Sequence, residues 1–497
     1  MKAAIKINTD RRIGTVDPNI YGHFLSRRKW VADGGLHNPS HKDADSGGLR
    51  EKVLEAIKEV APPVVRWPGG CTGTSYDWRE GIGPAAERSK TIDAHFGYGV
   101  SNGFGTAEFV DFCRKVGAAP HINLTTGTGS LREALAWVEY CNLDADTKWA
   151  NLRRAHGHGA PFNVSYWQIG NEEWGDWEIG YTTASDYAQR AREWAKSIKR
   201  LDPAAKTLAL GHYKDFDLID WNHEVLTTAG RHLDYITFHR YWDFDSSKGD
   251  DQYDMIAGAG YLEEQKMKAL SSLIDLVARE QNWAKAPKMA FTEWNARDVS
   301  HNEMTPGWRP GKPQYRLTDA LAAAGFINAM QRQSSAVTMA NIAQSINVVG
   351  ILVVTDADVF REPVYWALHM QRHLSGSVAV DAHVTCDSYS VRPPGAQATD
   401  IPYLDVSATT DDAGGKVYVS IVNRHLTDAA ETSLDLGLVT SATATLHELW
   451  HDDPFGQNTG EAPDAVRPRQ KQVNVEGGRV TLALPPHSYT IFELATS

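Results

Sequence analysis

The sequence predicts an α/β protein, a (β/α)₈ TIM barrel followed by a C-terminal antiparallel β-sandwich of the jelly-roll kind. Short apolar runs alternate with segments of helical periodicity along most of the chain, which is the pattern of a barrel. Beyond about residue 377, short alternating strands between turn clusters replace that pattern, as in a sandwich. A chain of 497 residues suits a barrel of roughly 250 to 400 residues with one accessory domain. A doubly wound sheet is the alternative arrangement.

We expect the barrel to span residues 17–377 and the sandwich residues 378–497, joined by one or two strands from residues 1–16. The expected barrel strands are short apolar runs between turn signals, at residues 20–24, 64–67, 120–124, 164–172, 207–210, 235–239, 289–293 and 348–354. The expected helices carry apolar residues at helical spacing, at 49–58, 108–115, 131–140, 184–200, 263–278 and 318–331. The expected sandwich strands alternate in polarity, at 403–408, 416–423, 443–449, 472–475, 480–484 and 489–494.

Composition narrows the possible functions. The net charge of −12 argues against nucleic acid as a partner. The sequence contains no run of 18 apolar residues for a membrane and no apolar signal-peptide core, so we expect a cytoplasmic protein acting on a small, imported substrate. The four cysteines are too widely spaced for a metal clip or a disulfide framework. We therefore expect no cofactor and no metal.

Two acidic residues end similar runs of buried-strand character. Trp167-Gln-Ile-Gly-Asn-Glu172 and Lys288-Met-Ala-Phe-Thr-Glu293 each carry an acid where a strand would leave the barrel. A carboxylate there is costly unless it is paired or used. Two carboxylates facing each other across a barrel mouth are typical of glycoside hydrolysis. We expect Glu172 to be the acid/base and Glu293 the nucleophile, with carboxyl groups about 5 to 5.5 Å apart if the enzyme is retaining.

Other candidate residues surround the two acids. Asn171 could donate to a sugar hydroxyl, and His239 and Tyr241 share one strand face from which they could hold the nucleophile. Glu173 is expected to serve as loop structure or outer support, because neighbouring strand residues point to opposite faces. Mutual repulsion should raise the pKa of whichever acid is less well hydrogen-bonded, which suits a proton donor.

Several motifs taken together resemble glycoside hydrolase family 51, the α-L-arabinofuranosidases. The motifs run in order through the barrel: Tyr21-Gly-His-Phe, Arg66-Trp-Pro-Gly-Gly70, Tyr76-Asp-Trp-Arg-Glu-Gly-Ile-Gly-Pro84, Phe104-Gly-Thr-Ala-Glu-Phe109, Ile169-Gly-Asn-Glu172, His239-Arg-Tyr241 and Thr292-Glu-Trp-Asn295. The resemblance continues into the sandwich and covers nearly the whole chain. It implies a retaining mechanism with Glu172 as acid/base and Glu293 as nucleophile, no catalytic metal, and a homo-oligomer that is frequently a hexamer.

The residues expected to bind the sugar depart from this family. Ser26 stands where the family usually has Glu, Cys71 where it has Asn, and Glu362 at the position aligned with its Gln. Losing a polar contact to a bound hydroxyl can cost a factor of roughly 10² in discrimination. The sugar could therefore be larger, such as β-D-galactofuranose, which is α-L-arabinofuranose plus one hydroxymethyl carbon. Arg27-Arg-Lys29 could instead pair with an acidic group on the substrate, although such a run is more often a solvated loop.

The sequence thus predicts a retaining exo-glycosidase that removes terminal non-reducing furanosides from short oligosaccharides. Trp174 and Trp177, just past the acid/base, could form a platform for the leaving group or pack in the core. The alternatives are a retaining glycosidase of other specificity, namely a β-D-galactofuranosidase, a β-D-xylosidase or an endoglucanase. A sugar-binding protein without turnover is the alternative from another class, and two intact acids argue against it.

Overall fold

A closed barrel of parallel strands forms the larger part of the molecule. The computed structural model describes residues 1–213, 218–245, 252–300, 308–393, 397–437 and 442–495. Within these ranges eight strands close the barrel: Gly22–Phe24, Val64–Trp67, Ala119–Leu124, Tyr166–Ile169, Lys206–Leu210, Tyr235–Phe244, Lys288–Asp298 and Val337–Ala343. The predicted fold class is confirmed.

Helices connect and cover the strands. The α-helices of the described ranges are Glu51–Val60, Thr106–Val116, Leu131–Asn142, Lys148–Ala155, Ala184–Leu201, Asp220–Ala229, Tyr253–Ala257, Ala259–Glu280, Leu317–Arg332 and Pro363–His373. Leu131–Asn142 shows why such a segment is helical, since the Ser130 side chain accepts from the backbone N–H of Glu133, whose carboxylate accepts from the N–H of Ser130. None of the helices in the described ranges is long and apolar enough to cross a bilayer.

The eighth barrel strand does not lie where the sequence predicts it. Val337–Ala343 closes the barrel by pairing with Gly22–Phe24 and with Lys288–Asp298. The expected strand at residues 348–354 was wrong, because Leu352–Val354 forms an antiparallel hairpin with Val359–Arg361 instead. Thr338 and Asn341 interrupt the apolar pattern of the true strand, whereas the apolar run that follows it fills a buried loop.

The remaining strands form a second body dominated by one sheet. In the described part of the chain nine strands make this sheet: Lys2–Thr15, Val378–Thr385, Leu404–Thr410, Lys416–Asn423, Ala430–Asp435, Thr443–Leu449, Arg469–Asn474, Arg479–Leu484 and Ser488–Ala495. The N-terminal strand pairs antiparallel with Val378–Thr385 but parallel with Ala430–Asp435, so the predicted antiparallel order fails at that pair. Two-stranded pieces lie outside it, at Thr91–Ile92 with Gly99–Val100 and Ser388–Val391 with Thr399–Pro402.

The helix Leu317–Arg332 joins the two bodies. Every residue from Leu317 to Gln331 is buried, including polar ones, which marks a helix with packed neighbours on all sides. Asn328 and Gln331 hydrogen-bond to Ser407 on the sheet, and Arg332 pairs with Asp405 on the same strand. The barrel is thereby held against the sheet by satisfied polar contacts as well as by apolar packing.

Candidate active site

A cavity of about 600 Å³ opens at the carboxyl ends of the barrel strands. It is lined by residues from those strands and from the loops that follow them. Of the residues predicted to form the site, Ser26, Cys71, Glu172, Trp177, His239, Tyr241 and Glu293 line it. Active sites of this barrel type lie on the same face.

The two predicted acids face each other across this cavity. Carboxylate oxygens of Glu172 and Glu293 and a ring nitrogen of His239 all lie within 4.8 Å of one another. Glu172 follows the strand Tyr166–Ile169 through Gly170, whose φ of +84° favours glycine. Glu172 itself has a φ of +45°, a conformation that costs energy for a residue with a side chain and that clusters at functional sites. The backbone thus turns this carboxylate into the cavity.

A buried arginine and a tyrosine hold Glu293. Arg66, fully buried on the second barrel strand, donates to Glu293 Oε1 over 2.7 Å. The Tyr241 hydroxyl donates to Glu293 Oε2, also over 2.7 Å. Gly70 lies so close that an added Cβ would meet Glu293 Oε1 at 3.0 Å. Both carboxylate oxygens therefore accept short hydrogen bonds, one of them charge-assisted, which fix the orientation of the carboxylate in the cavity.

Glu172 contacts a histidine and a tryptophan, in contrast to the arginine and tyrosine that contact Glu293. His239 Nδ1 lies 2.7 Å from Glu172 Oε1, and the Trp177 indole N–H donates to Oε2 over 3.2 Å. Burial acts to raise the pKa of Glu172, but its contacts with His239 and Trp177 and the charge of Arg66 outweigh burial and leave that pKa below its usual value. The predicted rise in the pKa of the less well hydrogen-bonded acid, which would suit the proton donor, is therefore not found at Glu172, because this acid is itself well hydrogen-bonded.

The two residues on either side of Glu172 face away from the cavity. Glu173 is fully buried and pairs with Arg190 and Thr126. Asn171 does not line the cavity, because its amide lies between Arg66, which donates to Oδ1 over 2.7 Å, and Glu178, which accepts from Nδ2 over 3.1 Å. Asn171 thus links Arg66 to Glu178 behind the cavity wall.

The predicted sugar-binding residues are only partly brought together. Ser26 lines the cavity and its backbone N–H donates to Gln344 Oε1 over 3.0 Å. Gln344 also lines the cavity, although sequence reasoning did not find it. Glu362 does not line it and was wrongly placed there, since its Oε1 accepts from the Gln314 backbone behind the wall. Gln344 was missed because it follows the eighth strand, which had been expected further along the chain.

Aromatic and basic side chains form the outer wall. Trp174 and Trp177 both line the cavity, with ring centroids 5.3 Å apart at nearly right angles, and Trp177 remains 47% exposed. Of the three predicted basic residues Arg28 lines the cavity, its guanidinium 4.1 Å from the centre of the Phe96 ring. Arg27 is buried and bonds Asn102, so it faces away from the cavity.

The barrel, the cavity position and the convergent acids define the class of a glycoside hydrolase. Models of two α-L-arabinofuranosidase domains match the chain, an α-L-arabinofuranosidase 1 domain at residues 56–257 and the α-L-arabinofuranosidase C-terminal domain at residues 292–488. The chain belongs to glycoside hydrolase family 51, the α-L-arabinofuranosidases, and the resemblance found in its motifs is confirmed.

Individual relatives agree with that assignment. The chain is 35% identical to α-L-arabinofuranosidase C of Emericella nidulans, over 98% of this chain and 96% of that one. It is 28% identical to an intracellular exo-α-(1→5)-L-arabinofuranosidase of Halalkalibacterium halodurans, over 99% of both chains. The solved α-L-arabinofuranosidase of Thermotoga maritima, in complex with arabinose, superposes with a TM-score of 0.90 at 32% identity, over 99% of this chain and 100% of that one.

Proposed function

We propose that the protein is a retaining exo-acting α-L-arabinofuranosidase that removes terminal non-reducing arabinofuranosyl groups from short oligosaccharides. The observation that carries the proposal is the pair Glu172 and Glu293, with carboxylate oxygens within 4.8 Å and different holding groups. That spacing leaves no room for a water between acid and sugar, as an inverting enzyme would need, and it suits direct attack by a carboxylate.

In the first step Glu293 attacks the anomeric carbon and the glycosidic bond breaks. The hydrogen bonds from Arg66 and Tyr241 orient the Glu293 carboxylate for this attack. A proton from the Glu172 side passes to the departing oxygen, so the leaving group departs as a neutral alcohol. The sugar is then joined to Glu293 as an ester.

In the second step water replaces the enzyme on the sugar. Glu172, now a carboxylate, takes one proton from the water as its oxygen attacks the anomeric carbon and Glu293 leaves. The two displacements together retain the anomeric configuration. The His239 ring nitrogen lies 2.7 Å from the Glu172 carboxylate and orients it, and we assign to Glu172 the proton given up in the first step and regained in the second.

The sugar assignment rests on the relatives. The Thermotoga maritima enzyme is solved with arabinose, and the Halalkalibacterium halodurans enzyme is named for exo action on α-(1→5) linkages. Ser26 and Cys71 line the cavity with small side chains, which leaves a β-D-galactofuranoside as the second candidate. The exposed Trp177 would receive the leaving group.

A panel of 4-nitrophenyl glycosides tests the assignment. We expect the α-L-arabinofuranoside to be hydrolysed with the highest kcat/KM, and the β-D-galactofuranoside, β-D-xyloside and β-D-glucoside to be slower. Faster release from the galactofuranoside would replace arabinose by the larger sugar. Binding of arabinose without release from any member would instead make the protein a sugar-binding protein.

We also propose a cytoplasmic homo-oligomer, hexameric by resemblance to the family. The intracellular relative from Halalkalibacterium halodurans supports the location. Light scattering on a size-exclusion column measures the mass, and a particle near the 54.9 kDa of one chain would contradict the assembly.

A further inference from the structure

A second group of reactive side chains borders the cavity. The Cys71 sulfur, a His95 ring nitrogen and a Glu178 carboxylate oxygen all lie within 4.8 Å of one another. His95 Nδ1 is 3.5 Å from Glu178 Oε1. Cys71 follows the second barrel strand, His95 lies on the loop between Asp93 and Tyr98, and Glu178 follows the fourth strand. Three segments that are distant in sequence thus place a sulfur, a nitrogen and an oxygen ligand around one point.

This set of donors matches one kind of ion. Thiolate, imidazole and carboxylate together are ligands that zinc prefers, whereas calcium and magnesium take oxygen ligands. Bonds of about 2.3 Å to sulfur and about 2.0 to 2.2 Å to nitrogen and oxygen put the ligand atoms of a tetrahedral zinc roughly 3.5 Å apart. The His95 to Glu178 separation already has this value, and the Cys71 sulfur lies within 4.8 Å of both atoms. We propose that Cys71, His95 and Glu178 bind a zinc ion at the wall of the cavity.

The charges at this point favour a cation. The Glu178 side chain is fully buried and accepts from Thr74 over 2.9 Å and from Asn171 over 3.1 Å, both neutral donors. In the part of the chain that the structure describes, no lysine or arginine pairs with Glu178. Arg190, by contrast, compensates the adjacent Glu173. A buried carboxylate beside a thiol and without a fixed positive charge is costly, and a divalent ion would offset that cost.

The ion would also border the space that a sugar occupies. Cys71 and His95 line the same cavity as Glu172 and Glu293. Three protein ligands leave a fourth position of a tetrahedral ion for water or a sugar hydroxyl. The thiol proton of Cys71 leaves to solvent as the metal binds, because the thiolate is the ligand. Zinc added to the enzyme would therefore alter sugar binding from one side of the pocket.

Cobalt(II) substitution tests the site directly. We expect the chelator-treated protein to bind one Co²⁺ per chain and to gain the near-ultraviolet charge-transfer band of a cobalt thiolate. Cys71→Ser should abolish the band, and Glu178→Gln should weaken Co²⁺ binding by more than the roughly 10- to 100-fold that loss of an outer partner of a metal ligand costs. Zinc should displace the cobalt in competition. The matched control is Cys386→Ser, which changes a partly buried cysteine on the sheet body and should keep the band.

The contrary outcomes are distinct. No cobalt binding, or a band that persists in Cys71→Ser, would overturn the proposal. Cobalt could instead bind without producing a thiolate band, and this binding could be lost in Glu293→Gln. That result would place the ion on Glu172, His239 and Glu293, the other group with suitable geometry, and would also overturn the proposal. His95→Ala supplies a further ligand variant should Cys71→Ser fail to fold. Because the readout needs no turnover, an inactive protein that binds cobalt contradicts only the proposed function.

Discussion

The two acids of the site have different hydrogen-bond partners. Glu293 accepts from Arg66, whose charge is permanent, whereas Glu172 contacts His239, whose ring nitrogen can donate or accept a hydrogen bond. A nucleophile must stay ionised, while an acid/base must exchange a proton in each step. The holding groups of each carboxylate thus agree with the roles that we propose.

Glu172→Ala tests the acid/base role. Only a poor leaving group needs protonation, so we expect kcat/KM to fall by about 10² to 10⁴ on an arabino-oligosaccharide. The fall should be much smaller on the 4-nitrophenyl arabinofuranoside, whose leaving group departs as an anion. Added azide should restore turnover of that aryl substrate by replacing water in the second step.

Glu293→Ala is the matched comparison. It removes the nucleophile, so turnover of both substrates should disappear. Equal losses on both substrates in Glu172→Ala, with no response to azide, would contradict the assignment of Glu172.

Arg66→Lys tests how Glu293 is held. Arg66 donates to Glu293 and to Asn171 from two separate nitrogens, and lysine, which has a single nitrogen on a flexible stem, cannot reproduce this planar fork. Loss of a charge-assisted hydrogen bond costs about 1.5 to 3 kcal/mol, so kcat should fall by roughly 10- to 100-fold with little change in KM.

The control is Arg79→Lys, an exposed arginine that pairs with Asp77 and Glu133 away from the cavity. Its kcat should match that of the unchanged protein. An Arg66→Lys variant with full kcat would show that Arg66 serves the fold alone.

Site residues could be predicted from the sequence where they lie in or directly after a recognisable strand. Glu172 follows a strand, whereas His239, Tyr241 and Glu293 lie within strands, and all four line the cavity. The motif that contains Arg66 did not predict its contact with Glu293. A charged residue within a four-residue buried strand is nevertheless a sign that it pairs with a buried acid. Contacts across the barrel, such as Arg66 with Glu293, have no trace in local sequence.

At the scale of elements, periodicity located most helices and strands but not the barrel closure. Val337–Ala343 carries a polar face because Asn341 donates inside the barrel to the His23 carbonyl. Its hydrophobic pattern is therefore broken, and the sequence instead predicts the eighth strand in the more apolar run that follows. That error moved Gln344 out of the predicted site and put Glu362 into it.

The helix Leu317–Arg332 makes stability depend on pH. Its Arg332, together with Arg424, surrounds the buried Asp405 on the sheet. Burial acts to raise the pKa of Asp405, but the two arginines outweigh burial and lower that pKa to about 2, from 3.8. A depressed carboxyl pKa stabilises the fold fully above pH 3.8 and loses that contribution as the pH falls through about 2. Chemical unfolding should show a loss on the order of 2 kcal/mol over this range.

The variant Asp405→Asn measures how much the ionised Asp405 carboxylate contributes to the free energy of unfolding. Near neutral pH it leaves two buried arginines without their carboxylate, so the free energy of unfolding should drop by about 3 to 5 kcal/mol. The difference from the unchanged protein should shrink as the pH falls from about 4 to about 2, because Asp405 gains its proton near pH 3.8 in the unfolded state and only near pH 2 in the folded state.

Asp464→Asn is the control, since Asp464 pairs with Arg467 on the surface and should matter by about 1 kcal/mol or less. A difference for Asp405→Asn that stays constant down to pH 2 would contradict the depressed pKa.

For the molecule as a whole, the alternation of strands and helices predicted the barrel, and the change of pattern near residue 377 predicted the sheet body. The parallel pairing of the N-terminal strand with Ala430–Asp435 joins opposite ends of the chain and could not be read locally. The same holds for Cys71, His95 and Glu178, which only the closed barrel brings together. Sequence spacing excluded a metal clip among cysteines but carried no information on mixed ligands.

The stereochemistry of the first-formed product tests the central claim most directly. Proton NMR can follow the anomeric signals while the enzyme hydrolyses an α-L-arabinofuranoside, before the released sugar equilibrates. Double displacement through Glu293 predicts that α-L-arabinofuranose appears first and the β-anomer only later. If the β-anomer appears first, water attacks the sugar directly, and the roles proposed for Glu172 and Glu293 are wrong.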